Sequence, residues 1–240
     1  MIDYDTDLLE ALLHERQPSG LGGRWFGVYP AIVSDIKDPD STGRVKVTLP
    51  WSPDTGSERY EVWARLATLM GGKNRGSWFI PDVDDEVLVV FEGGDVRRPY
   101  VVGGLWNGSD SPPQSMDGSG RNFIKLLKSR NGVKVTLDDN DGREQFIAET
   151  PGGQKVTLKD GPGSIELADS NGNSVKLDSS GITLTTSSSV TINASTVTVN
   201  ASSITLSGST TVAAALTVAA SITTPSITSG SYTPGAGNMW

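Results

Sequence analysis

Apolar residues recur along this chain at three different spacings, and each spacing predicts a different kind of element. In residues 1–17, Ile2, Leu8, Leu9, Leu12 and Leu13 return at helical intervals, with Thr6 or Asp7 as N-cap and Pro18-Ser19-Gly20 as the stop. Such a short helix either packs on its own domain or a symmetry mate, or docks a partner through Leu8, Leu9, Leu12 and Leu13. His14 falls near the polar edge of this helix, where a solvated histidine is expected rather than a ligand.

Between 24 and 106 the spacing changes to strands and turns. Residues 25–34 are apolar and β-rich, and 38–43 form a turn with Pro39 and Gly43 at turn-favoured positions. In 44–51, Val45, Val47 and Leu49 face one way while Arg44, Lys46 and Thr48 face the other. Further strands are expected over 60–66, 86–92 and 99–106, with 78–81 between them and 71–76 as a flexible glycine-rich loop. About five short strands with regular turns and no internal helix predict a small closed or partly closed barrel. Residues 109–121 contain Gly, Ser, Asp and Pro with almost no apolar content, and read as a linker.

From residue 122 onward the chain repeats. Apolar i, i+2 pairs begin near Ile124, Val135, Phe146, Val156, Ile165, Val175, Ile182, Val190, Val197 and Ile204, at intervals that shorten from 11 to 7 residues. Each pair predicts one short strand with a single apolar face, followed by a turn of Gly, Asn, Asp or Ser. A strand with two inward side chains cannot bury a core alone, so repeats of this kind stack. A solenoid coil needs on the order of 20–29 residues per turn. One chain could reach this with three units per coil, a reading supported by Lys134-Val135-Thr136-Leu137 and Lys155-Val156-Thr157-Leu158, 21 residues apart. That solution requires a constant period, and the shrinking intervals break it. Three chains, each supplying one side of a triangular prism, can shorten together, so a tapering homotrimer is favoured.

Charge sharpens this reading. The 20 basic and 28 acidic residues all lie within the first 178 positions, which leaves 62 residues without a charge, 28 of them Ser or Thr. A charge-free, β-rich tail would be an aggregation hazard as free strands and is protected inside a trimer with few open edges. The net charge of −8 disfavours a nucleic-acid surface, and the absence of cysteine removes disulfides, thiolate metal sites and thiol nucleophiles. The acidic N-terminus differs from a secretory leader and no 18-residue apolar run occurs, so a soluble protein made in a reducing cytosol is expected.

Catalytic chemistry finds little support. No nucleophile elbow, phosphate loop or dinucleotide fingerprint is present. Asp138-Asp139-Asn140-Asp141-Gly142 resembles part of a calcium loop but lacks the terminal bidentate Glu. Asp82, Asp84, Asp85 and Glu86 could be imagined as a carboxylate pair for glycoside hydrolysis, yet a polar turn is the simpler reading. Lys73 and Arg75 could touch an anion from a solvated loop. Asn107-Gly108-Ser109, Asn193-Ala194-Ser195 and Asn200-Ala201-Ser202 match the glycosylation acceptor pattern, a motif common by accident. No catalytic residue, cofactor or metal site is expected.

The barrel segment resembles a family, the baseplate spike proteins of contractile injection machines, which include phage baseplate assembly protein V and the VgrG proteins of type VI secretion. The resemblance rests on Gly43-Arg44-Val45-Lys46-Val47 with Pro50-Trp51, Trp63-Ala64-Arg65, Gly76-Ser77-Trp78-Phe79-Ile80-Pro81 and Asp85-Glu86-Val87-Leu88-Val89. It continues through Phe91-Glu92-Gly93-Gly94-Asp95 and the run from Arg98 to Gly108. It implies an all-β chain in four parts: a short N-terminal helix with linker (1–24), an OB-fold barrel (25–108), a linker (109–121), and an intertwined, tapering trimeric β-helix needle ending in a tip (122–240). It further implies a homotrimeric spike in a virion tail or injection particle, with sheath contraction driving it through the target envelope and membrane contact only transient. Implied partners are a baseplate hub, with Leu8, Leu9, Leu12 and Leu13 as docking candidates, and a PAAR-type tip protein, with Tyr232, Met239 and Trp240 as candidates. The short segment before the barrel implies that the hub is a separate polypeptide, and the short linker that no lysozyme domain is inserted. Two other functions compete: an OB module binding glycan or single-stranded nucleic acid on a β-helical stalk, and a polysaccharide-degrading spike.

Overall fold

The computed structural model describes residues 24–52 and 59–231. The expected N-terminal helix lies outside them. The described chain is all-β, with one short 3-10 turn, Glu92–Gly94. Among the described residues no helix is long and apolar enough to cross a membrane.

Five strands close the barrel in the order β1 (Val28–Asp35), β2 (Val45–Thr48), β3 (Glu61–Leu66), β7 (Pro99–Gly104) and β6 (Glu86–Phe91). All neighbours are antiparallel except β3 and β7, which run parallel. The alternation read in the sequence sets the inward face. Ala31, Val33, Val45, Val47, Ala64, Val87, Val89 and Val101 are buried with Leu49 and Phe91. Small and β-branched side chains suit this narrow interior, because few inward positions converge on one axis. The sequence expectation departs from the structure in the β3–β6 connection. Residues 71–76 form a hairpin of β4 (Gly71–Gly72) and β5 (Arg75–Gly76), and 78–81 contain no strand.

Strand direction gives the barrel two distinct ends. The chain enters at one, where the Arg24 guanidinium donates to the Gly93 carbonyl at 2.7 Å and the Trp25 amide to Gly94 at 2.8 Å. Trp25 and Tyr29 pack there against Phe91, and Trp51 packs on both of them, its centroid 4.1 Å from that of Trp25. At the opposite, exit end, β1 hands over to β2 through a turn held by one carboxylate. Asp38 accepts the amides of Asp40, Thr42 and Arg44, the Thr42 hydroxyl, and the Arg44 guanidinium at 2.6 Å. The Arg44 hydrogen bond is the largest reason that this carboxyl sits far below its ordinary pKa.

The linker is more structured than its composition predicts. Asp117 accepts the Ser119 hydroxyl at 2.5 Å and the amides of Ser119, Arg121 and Asn122. Seven strands then form one antiparallel meander: β8 (Ile124–Lys128), β9 (Lys134–Asp138), β10 (Gln145–Glu149), β11 (Lys155–Lys159), β12 (Ser164–Ala168), β13 (Ser174–Asp178) and β14 (Gly181–Thr185). The first seven apolar pairs of the repeat each fall on one of these strands. Turns on the same edge touch one another. A Cβ on Gly161 (φ +53) would collide with the Gly142 carbonyl oxygen, and one on Gly153 would lie 3.1 Å from Ser170. Ser188–Trp240 forms a second unit, in which the described residues contain no strand.

Three outcomes are expected. Leu49→Ala should destabilise the barrel by about 2–5 kcal/mol, read as a lower denaturant midpoint in tryptophan fluorescence. Gly161→Ala should lower the unfolding temperature of the meander, because the new methyl meets backbone at a positive φ. Asp117, held down to about 2 first by the Ser119 hydroxyl and then by the loop amides, should stabilise the linker fully above its ordinary value of 3.8. That contribution should vanish as pH falls through the lowered value. Amide exchange at Ser119, Arg121 and Asn122 followed against pH checks the window.

Candidate assembly surface

The meander has two chemically opposite faces, and the register shows why. Across β10, Phe146 sits opposite Leu137 and Leu158, and Ala148 opposite Val135 and Val156. The ladder continues through Val156 to Leu167 and Leu158 to Ile165, then through Val175 and Leu177 to Leu184 and Ile182. With a side-chain period of two, constant pairing keeps every member of these pairs on one face. That face is bare within a single chain: Leu167 is 55% exposed and Ile182 75%. Native soluble proteins rarely leave a contiguous apolar surface of this extent uncovered.

The opposite face is mostly polar, with Ile147 among its charged and hydroxyl side chains, and the buried Thr136 hydroxyl finds no partner among the described residues. Lys134 lies opposite Glu149 in the register and meets it at 2.5 Å, and Lys155 stands on the other side of Glu149. The Lys134 hydrogen bond is the first reason that the Glu149 carboxyl sits below its ordinary pKa. Glu166 lies opposite Lys176, which itself meets Asp178 at 2.9 Å. At β8 the polarity inverts. Ile124 and Leu126 occupy this face and line a cavity of about 330 Å³ with Trp106, Pro113 and Met116, so the linker covers them. Lys125 takes the apolar side, opposite Leu137, and pairs with Asp139 at 2.6 Å. The uninterrupted apolar ladder therefore begins at Leu127 and Val135.

Beyond β14 the chain loses its means of reversing. Turns in the meander use Gly132, Gly142, Gly153, Gly161 and Gly172 at positive φ. No glycine occurs in 182–207, where Val190-Thr-Ile-Asn-Ala-Ser-Thr is followed by Val197-Thr-Val-Asn-Ala-Ser-Ser. A seven-residue spacing still admits a hairpin between β13 and β14, where Gly181 (φ +127) follows the two-residue turn; the later seven-residue units have no glycine to supply such a conformation. Every described residue from 187 to 231 is exposed.

The residues singled out in the sequence fare differently. Leu8, Leu9, Leu12, Leu13, His14, Tyr232, Met239 and Trp240 lie outside the described residues. The acidic run is a turn: the Asp85 carboxylate accepts the Asp82 amide at 2.8 Å, and Asp82 pairs with Arg130 from the β8–β9 turn. Asp138 accepts the Asn140 amide, which uses it as a turn cap. Lys73 and Arg75 flank the tip of the β4–β5 hairpin. Among the described residues no group of three His, Asp or Glu side chains could hold a metal. On the barrel's outer face Trp63 is flanked by Arg44 and Lys46, whose charges are engaged by Asp38 and Glu61. Sequence reading found the apolar pairs; the inversion at β8 escaped it, because it depends on the linker lying across the strand.

Known proteins agree with this architecture. Residues 29–106 match the type VI secretion system/phage-baseplate injector OB domain, and residues 145–217 the phage baseplate V C-terminal trimerisation domain. Similar proteins include the type VI secretion system spike protein VgrG1b of Pseudomonas aeruginosa, 29% identical over 50% of this chain and 17% of the relative. The spike protein VgrG3 of Vibrio cholerae is 30% identical over 45% of this chain and 11% of the relative. The actin cross-linking toxin VgrG1 of Vibrio cholerae is 27% identical over 45% of this chain and 10% of the relative. The chain thus spans less than a fifth of the length of these relatives. Its barrel is an injector OB domain, its repeat carries a trimerisation domain, and the chain belongs to the family of phage-baseplate V and type VI secretion spike proteins.

Proposed function

We propose that three copies of this chain associate through the apolar face of the meander and form the central spike of a contractile injection apparatus. The observation that carries the reading is the continuous apolar ladder from β9 to β14, overlapping a trimerisation domain and uncovered in one protomer. Three two-faced sheets can close into a prism with the ladder inside and the Lys134–Glu149 and Glu166–Lys176 rows outside. Beyond Thr185 the glycine-free units continue the prism as an intertwined needle, each chain supplying one side per rung. The spike acts mechanically: force from contraction is delivered to a small tip, and the target membrane is touched only in passage. The barrel end joins a baseplate hub and the far end receives a PAAR-type tip protein. The chain is made in the bacterial cytoplasm and leaves as part of a virion tail or injection particle. No catalytic step is assigned to it.

Adjacent residues on β12 give a direct test. Ile165→Asp puts a carboxylate on the apolar face in every copy, at a cost of about 3–5 kcal/mol for each buried, unpaired charge. It should convert trimers to monomers in mass photometry, whereas Glu166→Gln, one residue away on the polar face, should leave them intact. A wild-type chain that runs as a monomer overturns the assembly. In purified particles, a label on this chain should appear at the distal face of the baseplate; a label along the tube or sheath overturns the spike assignment.

A further inference from the structure

The barrel carries an apolar arm that its own chain does not cover. The arm is the connection between β3 and β6. Its base is fixed by hydrogen bonds across the hairpin: the Ser77 amide donates to the Met70 carbonyl at 2.9 Å, and the Thr68 hydroxyl to the Ser77 carbonyl at 2.8 Å. These bonds hold Leu69 and Met70 beside Trp78 and Phe79. Trp78 is further propped by Gly43, whose ideal Cβ would sit 3.4 Å from its ring. Yet Leu69 is 97% exposed and Trp78 76%, with Phe79 and Met70 also more than half exposed. An aromatic and aliphatic group fixed by hydrogen bonds at its base, then left in water, has the composition of an interface core.

Topology identifies what faces it. β3 and β7 run parallel, and β2 and β6 run against them, so Leu66, Gly43, Glu86 and Gly104 all stand at one end of the barrel. The arm leaves from Leu66, touches Gly43 and returns to Glu86; it therefore belongs to the exit end. The meander is tied to that end too, through Asp82 and Arg130 at 2.8 Å. The chain enters at the other end, beside Trp25 and Gly94. A partner docked at the entry end therefore meets the end of the barrel opposite the arm. Other copies of this chain would lie on the arm's side, because the trimerisation domain, which begins at residue 145, follows the exit end.

We infer that the arm around Leu69, Met70, Trp78 and Phe79 seats on a neighbouring copy of this chain and forms a second intersubunit contact, at the level of the barrels. The inference rests on the three-chain reading above. Lys73 and Arg75 at the hairpin tip form no ion pair among the described residues, and a neighbour that shares this chain's net charge of −8 offers carboxylates to them.

The absence of cysteine makes the test clean. Leu69→Cys and Phe79→Cys, made separately in the full-length chain, alter side chains exposed in the protomer and leave its core intact. Ser119→Cys in the linker is the exposed reference. Each purified variant is weighed by light scattering and then labelled with a maleimide, with and without denaturant. The expected result is a trimer in which Leu69→Cys and Phe79→Cys label at least about tenfold more slowly than Ser119→Cys, protection that denaturant removes. A trimer in which both label as fast as the reference overturns the inference alone, and leaves the arm to a different protein. A monomer overturns the inference together with the trimer on which it rests.

Discussion

The structure depends on one constraint: a five-residue strand has two faces, and only one of them can be wet. Along β9–β14 the register keeps every apolar pair on the same side, so the meander carries a stripe of Val, Leu, Ile and Phe that its own chain cannot cover. Burying such a side chain fully is worth about 1.5–3 kcal/mol, which favours association once copies meet. The barrel obeys the same rule in closed form. Its strands also alternate, but β6 returns to β1 and the apolar face is enclosed within one chain. The protein thus joins a self-sufficient core to an open one.

Much of this was legible in the sequence. The alternation of Val45, Val47 and Leu49 found the barrel interior, and the apolar pairs found each strand of the meander, because both follow from the two-residue period. Less legible were features set by neighbours rather than by pattern. Residues 71–76 read as a loop for their glycines, but two backbone pairings make a hairpin of them. The run 78–81, between two expected strands, is held against a turn by Trp78, a contact that the spacing of residues does not display. Asp117 turned an apparently featureless linker into a capped loop, through hydrogen bonds that composition does not display.

The change at Thr185 has a physical cause. Up to that point the interval between pairs leaves room for five strand residues and a glycine turn, so each strand can find its partner in its own chain. After Gly181 glycine disappears until Gly208, while the interval stays at seven or eight residues. The residues that remain, Thr, Val, Ser and Asn, favour extended backbone but offer no easy reversal. Among the described residues no strand pairing forms beyond Thr185, and the loss of easy turns coincides with the loss of charge.

The direction of the strands carries a last consequence. Each five-residue strand lies across the line along which the meander grows, so its backbone hydrogen bonds point along that line, one strand every 4.7–4.9 Å or so. Compression along the line presses each strand onto the next and shortens bonds already made. Traction along it opens the ladder one strand at a time, each step resisted by only a handful of bonds. Such a stack is anisotropic, stout under thrust and weak under withdrawal.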